Sequence, residues 1–388
     1  TTDAVQNAVD RIDEALPDLL PTPNYVYFGC GLVTGAPNVV GFPNVVGFPN
    51  VVGFPNVVGF PNVVGFGGRL HSAKPAEAPF IRAARKPAGQ RPRVLILDTG
   101  VQSEPVRDER GNERRKPRHR WLRSILNWLH SLWRLRPEKP LASEEDPVVA
   151  DDEDEHDDDG VEGIDTQAGH GTFIAGIVAR LCPEADIHSY GVLSSFGDGD
   201  DATIAEGLLT AVAGLNGIAP DQFDPEEHDQ RYDIVVMSFG GTTEDGTTAP
   251  FVSALPIVAI DDRLDGDTVL VAAAGNSGSR RPLEPAAHRD VVAVGATDDK
   301  QRAWFSNYGK WVDACAPGVD VVSCFLVDDD FVGEWAAWSG TSFSAPKVAA
   351  AIANEMVING DSARQGWSRL SAISRFHVPD LGVLINVD

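Results

Sequence analysis

With 388 residues, 43% of them hydrophobic and 38 of them glycine, the chain has the apolar material for a large core, which excludes a wholly disordered polypeptide. Its formal net charge of −25 argues against a general nucleic-acid binder, because another polyanion would be repelled. The four cysteines, Cys30, Cys182, Cys315 and Cys324, show no CxxC pairing and no metal-ligand spacing, so nothing demands a zinc site or an oxidising compartment.

In chain order, Val5, Val9, Ile12, Leu16 and Leu19 recur at helical spacing with Asp10, Asp13 and Glu14 between them. This predicts an amphipathic helix over residues 1–20, ended or kinked by Pro17. Tyr25-Val26-Tyr27-Phe28 has strand composition, and the hexapeptide Pro-Asn-Val-Val-Gly-Phe then repeats five times over residues 37–66. Five hexapeptides are too few for a stacked solenoid, and proline at every sixth position limits strands to short edge pieces. Residues 21–91 therefore read as a low-complexity linker, with docking or self-association as the sharper alternative. The chain opens without a basic n-region or an apolar h-region, and no apolar run reaches the ~18–20 residues that span a bilayer. A cytoplasmic protein is expected on these grounds.

Val94-Leu95-Ile96-Leu97 is uniformly apolar and runs into Asp98-Thr99-Gly100. A short strand that is apolar on both faces belongs in a parallel sheet covered by helices. The pattern recurs at residues 187–192, 234–237, 269–272 and 291–294, with helical stretches at 172–180 and 203–215. Strands alternating with helices predict an α/β domain, whose chemistry gathers at the carboxyl ends of the strands. Two blocks interrupt it. Residues 107–136 are strongly basic, and within them Leu122, Ile125, Leu129 and Leu132 share a helical face flanked by Trp121, Trp128 and Trp133. Such a helix suits a membrane surface or a partner protein, while the plainer reading lays it on the protein's own surface. Residues 144–159 hold eleven acidic residues and read as a solvated insertion.

Near the end, Gly340-Thr341-Ser342 feeds the Ala- and Val-rich run 345–353, a turn entering a buried helix. A hydroxyl on that first turn sits among unpaired N–H groups at the positive end of the helix dipole. That suits a nucleophile and equally an ordinary helix cap. Upstream, Asp98 ends an apolar strand, His170 stands between Gly169 and Gly171 at the head of an apolar helix, and Asn276 follows another buried strand. Each alone reads as a turn residue. Together they supply what acyl transfer needs: a nucleophile, a base, a carboxylate to orient the base, and a donor for the oxyanion.

The order Asp…His…Ser is that of subtilisin-type enzymes. Leu97-Asp98-Thr99-Gly100-Val101, Gly169-His170-Gly171-Thr172-Phe173 and Gly340-Thr341-Ser342-Phe343-Ser344-Ala345-Pro346 resemble the three catalytic motifs of the subtilisin-like (subtilase, S8 family) serine peptidases. Ala273-Ala274-Gly275-Asn276, Met237-Ser238-Phe239-Gly240-Gly241 and Cys315-Ala316-Pro317-Gly318 are similar to its oxyanion, substrate-cleft and Ala-Pro-Gly segments. The resemblance implies a subtilisin-like three-layer α/β domain over residues 92–375, with a mainly parallel central sheet flanked by helices and a tail at 376–388. It implies that Ser342 attacks the scissile carbonyl, His170 takes its proton, Asp98 orients His170 and Asn276 helps hold the oxyanion. A polypeptide substrate would pair with the edge strand at Ser238, Phe239 and Gly240. Ala273, Ala274 and Gly275 would then border a pocket with room for an apolar or aromatic side chain.

No cofactor is implied. The family often binds structural calcium, but no loop here matches such a site, and the acidic run at 151–159 is too uniform for a cage. Phe343 stands where the family usually has methionine, 72 residues separate Asp98 from His170, and residues 1–90 resemble no inhibitory propeptide. The expectation is an intracellular endopeptidase controlled by its own insertion or by a regulatory protein bound through residues 1–66 or 107–136. The rivals are a catalytically silent scaffold and a protease docked on a membrane surface.

Overall fold

The computed structural model describes residues 26–29, 70–73, 86–107, 113–122, 167–195, 197–201, 203–205, 208, 232–241, 267–327, 334–373 and 376–385. The helix expected over 1–20, the repeats at 37–66, the basic helix beyond Leu122 and the acidic run at 144–159 lie outside the described residues.

A nine-stranded sheet forms the centre. Its strands, in chain order, are β1 (Arg93–Asp98), β2 (Asp186–Gly191), β3 (Ile234–Met237), β4 (Val269–Ala273), β5 (Val291–Asp298), β6 (Gln301–Arg302), β7 (Ala314–Pro317), β8 (His377–Val378) and β9 (Gly382–Leu384). Their spatial order is β8-β9-β7-β5-β4-β3-β1-β2, with β6 turned back on the end of β5. Every pairing from β9 to β2 is parallel, and only β5–β6 and β8–β9 are antiparallel.

The pleat divides the apolar residues of each strand between two cores. Val94, Ile96, Ile234, Val236, Val269, Val271, Val292 and Val294 meet helices α1 (His170–Leu181) and α2 (Thr341–Asn359), through residues such as Phe173, Ile177, Ala345, Val348 and Ile352. Leu95, Leu97, Val235, Met237, Leu270 and Ala272 face the other way, toward Tyr190, Tyr232, Ile204 and Leu208. Residues 201, 203–205 and 208 are helical, so that face is covered as well. This is the three-layer arrangement the uniformly apolar strands called for. Each Val, Leu or Ile so buried contributes about 1.5–3 kcal/mol relative to exposure. Gly360, at φ 71°, ends α2 in the left-handed conformation before α3 (Ala363–Ile373).

Three expectations need correction. Residues 376–385 are no tail, because β8 and β9 complete the edge of the sheet and Val383 and Ile385 are buried in the main core. Strands of two and three residues are too short to show a period. The segment 21–91 is more than a linker. Val26–Gly29 pairs antiparallel with both Asp198–Asp200 and Phe239–Gly240, and His71–Ser72 pairs with the strand Trp335–Trp338. Ahead of the expected basic helix, Ser103–Arg107 and Glu113–Pro117 form a β-hairpin that the sequence did not announce, and residues 120–122, where that helix was expected to begin, are helical. Beyond it Leu122 is buried, and the Trp121 ring lies 5.4 Å from that of Trp335. Those residues rest on the protein itself.

Candidate active site

Asp98 ends β1 at full burial, and its main-chain carbonyl accepts the N–H groups of Val192 and Leu193. Its Oδ1 accepts the Thr99 N–H at 2.8 Å and the His170 Nδ1–H at 2.7 Å. His170 is brought there by the head of α1. The Gly171 N–H donates to Thr99 Oγ1 at 3.0 Å, and the Gln102 N–H donates to Thr172 Oγ1 at 2.9 Å. A side chain at Gly171 would strike the Gly100 carbonyl, so glycine is required where these two segments touch. The imidazole packs against the rings of Trp338 and Phe343, each with its centroid 5.5 Å away, and these two rings also touch each other. Phe343 is wholly buried against Phe173, so the aromatic ring is accommodated where the family has methionine.

With Nδ1–H engaged by the carboxylate, Nε2 is the basic face of the ring. It is buried and makes no hydrogen bond among the described residues. Ser342 Oγ instead donates to the Ser238 carbonyl at 3.0 Å, while Ser238 Oγ donates to the Ser342 carbonyl at 3.0 Å. The second bond has a covalent cause. Pro346 lies inside α2 and has no N–H to give to the carbonyl four residues earlier, which is that of Ser342. Ser238 supplies the missing donor.

Asn276 is oriented by the residue ahead of the serine. Its Oδ1 accepts both the Thr341 N–H at 3.0 Å and the Thr341 hydroxyl at 2.9 Å, and that hydroxyl accepts the Gly275 N–H at 3.1 Å. Fixing the oxygen end of the amide fixes the donor end too. The Ser342 N–H lies in the first turn of α2, where the helix offers no acceptor. The Ala316-Pro317-Gly318 segment supports this turn: the Gly340 N–H donates to the Gly318 carbonyl at 2.8 Å and Ser344 Oγ to the Ala316 carbonyl at 2.9 Å.

The substrate-lining residues divide. Phe239–Gly240 is a strand, but its edge is already paired with Val26–Gly29. Ala273 and Ala274 are buried in the cores. The room expected beside Gly275 is taken, because a side chain on either Gly240 or Gly275 would collide with Leu283. Gly275 is held at φ 99° by Asn307, whose Nδ2 donates to the Ala274 carbonyl and whose Oδ1 accepts the Ser277 and Ser279 N–H groups. Leu283, Asn307 and Thr341 were invisible as site residues in the sequence. An isolated Leu or Asn carries no signal, and Thr341 reads as part of the serine turn. Among the described residues, no group of three or more His, Cys, Asp or Glu is placed to hold a metal ion.

The chain has relatives among known proteins. The profile of the Subtilase family matches residues 89–363, more than half of the chain. Thermophilic serine proteinase of Bacillus sp. (strain AK1) is 33% identical over 191 residues, 46% of this chain and 40% of that protein. Subtilisin Savinase of Lederbergia lenta is 33% identical over 195 residues, 48% of this chain and 62% of that protein. A solved structure described as a cold adapted subtilisin-like serine proteinase is 20% identical, covering 79% of this chain and 92% of that one with a TM-score of 0.49. The match spans less than two thirds of each of these two relatives' length. Minor extracellular protease Epr of Bacillus subtilis (strain 168) is also 33% identical, over 196 residues, 48% of this chain and 26% of that protein. This likeness overturns the cytoplasmic placement. That expectation rested on a missing leader, and a leader leaves no trace once it has been removed. Among the described residues no helix is long and apolar enough to cross a membrane.

Proposed function

The chain belongs to the subtilase family, and from that premise we propose that it is a serine endopeptidase working through Asp98, His170 and Ser342. The observation that carries this reading is the buried Asp98–His170 pair, joined at 2.7 Å, with Nε2 left unbonded near the head of α2. The Ser342 hydroxyl rotates from the Ser238 carbonyl toward Nε2, gives up its proton there, and its oxygen bonds to the scissile carbonyl carbon. Asp98 stabilises the resulting imidazolium at a fully buried position, where solvent screening is weak. The Asn276 amide and the Ser342 N–H hold the oxyanion. Nε2–H then protonates the departing amine, and water, deprotonated by the same nitrogen, releases the acyl group and restores the serine. Leu283 narrows the space beside Gly240 and Gly275, which favours substrates with a small residue before the cut.

A serine-directed fluorophosphonate tests the reading. Labelling is expected of the wild type and not of Ser342→Ala, whose peptide hydrolysis should fall by on the order of 10⁶-fold. Asp98→Asn should lose on the order of 10⁴-fold, because it favours the wrong tautomer. A wild type that neither labels nor hydrolyses peptides would instead establish a silent scaffold.

A further inference from the structure

We propose that Asn307 is a positioning residue that aims the Asn276 amide at the oxyanion, an inference that rests on the endopeptidase reading above. Asn276 follows β4, and Thr341 fixes only the oxygen end of its side chain. The donor end also depends on the backbone that carries it. That backbone is held from both sides by Asn307, which is 2% exposed and lies about one loop beyond β5.

Ahead of Asn276, the Asn307 N–H donates to the Gly275 carbonyl at 2.9 Å and its Nδ2 to the Ala274 carbonyl at 2.8 Å. Beyond Asn276, its Oδ1 accepts the Ser277 N–H at 3.0 Å and the Ser279 N–H at 3.1 Å. A carboxamide suits this task, since one end only donates and the other accepts twice. The fit is close. A side chain at Gly275 would meet Asn307 Nδ2 at 2.6 Å, and Gly275 itself stays in the left-handed region at φ 99°.

Asn307 is fixed in its turn. Ser306 Oγ donates to the Asn307 carbonyl and accepts the Ala296 N–H, both at 2.9 Å, which roots the support in β5. Arg302 Nη1 donates to the Ser306 carbonyl at 2.9 Å, and its guanidinium lies 4.2 Å over the Tyr308 ring. The Tyr308 N–H donates back to the Ser279 carbonyl at 3.0 Å. The loop bearing the donor and the segment bearing Asn307 are thus one rigid unit. A donor aimed at charge that develops during the reaction is effective when it is held in place beforehand. Asn307 therefore acts on the transition state more than on substrate binding.

Asn307→Asp and Asn307→Leu test the proposal. The aspartate keeps the acceptor for the two serine N–H groups but sets an oxygen against the Ala274 carbonyl, and the leucine removes all three side-chain bonds. With a peptide substrate, kcat should fall about tenfold or more in each variant. KM should move by less than about twofold, and affinity for a peptide boronate, whose boron-bound oxygen takes the oxyanion's place, should fall with kcat. In an Asn276→Ala background the same substitutions should lower kcat by less than about threefold, because the donor they aim is already gone. Unchanged kcat, equal losses in the two backgrounds, or a loss confined to KM would overturn the proposal and leave the endopeptidase reading standing. A wild type that neither hydrolyses peptides nor labels with the fluorophosphonate would overturn that reading, and the proposal with it. Should both variants fail to fold, hydrogen exchange on the wild type decides. Binding of the boronate should slow exchange at residues 277–279, and unchanged exchange there would overturn the proposal.

Discussion

Ser238, Ser342 and Pro346 show how one residue's covalent structure sets the state of the nucleophile. Pro346 deprives the Ser342 carbonyl of its helical donor, Ser238 Oγ replaces it, and the Ser342 hydroxyl returns a bond to the Ser238 carbonyl. All three residues are buried, so an unmatched carbonyl cannot turn to water. Ser238→Ala should therefore destabilise the protein by about 1–3 kcal/mol in urea unfolding. In a Pro346→Ala background the helix regains its N–H at that position, and the same substitution should cost clearly less. Equal losses in the two backgrounds would mean that Ser238 does not serve as the stand-in donor.

Among the elements, the Ser103–Arg107/Glu113–Pro117 hairpin and the turn after it bind the insertion to the strand that enters the site. His119 is buried beside Trp335, with ring centroids 5.2 Å apart. Its Nε2–H donates to the Glu334 carbonyl, and its Nδ1 accepts the Leu122 N–H. The Glu334 carboxylate takes the Arg120 N–H at 2.7 Å and lies 2.9 Å from the Arg120 guanidinium. Burial pushes the His119 pKa below its ordinary 6.5, against the opposing pull of the Glu334 carbonyl and carboxylate. A histidine with a lowered folded pKa binds its proton more readily in the unfolded chain. Its stability contribution is complete above pH 6.5 and is lost as the pH falls from there toward the folded value. Thermal melts followed by tryptophan fluorescence should show the wild type losing more stability than His119→Gln between neutral pH and pH ~5. Parallel curves for the two proteins would remove His119 from the account. Since Trp335–Trp338 ends on the ring that packs against His170, this loosening starts one strand away from the catalytic base.

For the whole molecule, the consequential feature is that a stretch rich in repeats joins two strands docked at one site. Its composition is what a linker needs, and the strands at its two ends are paired to strands of the domain. Cutting it tests the connection. A site-specific protease sequence placed between two of the repeats in 37–66 allows the connection to be severed after folding. Docking of residues 26–29 then becomes bimolecular, so the thermal midpoint should fall when the severed protein is diluted. The uncut protein should show no dependence on its own concentration. Identical dilution curves would show that the tether does nothing to hold the strand.

What the sequence determined by itself was the local chemistry. Uniformly apolar runs announce buried parallel strands, and glycines beside Asp98, His170 and Ser342 mark the turns that carry the catalytic groups. These signals are written within a few neighbouring residues, by period and by turn stereochemistry. Tertiary structure alone decided which backbone faces which. It set Ser342 on Ser238 across 104 positions, filled the space beside Gly240 and Gly275 with Leu283, carried β8 and β9 to the sheet edge, and laid Val26–Gly29 in the slot beside Phe239. Strands of two to four residues have no period to read, and their pairing is a contact between residues far apart in the chain.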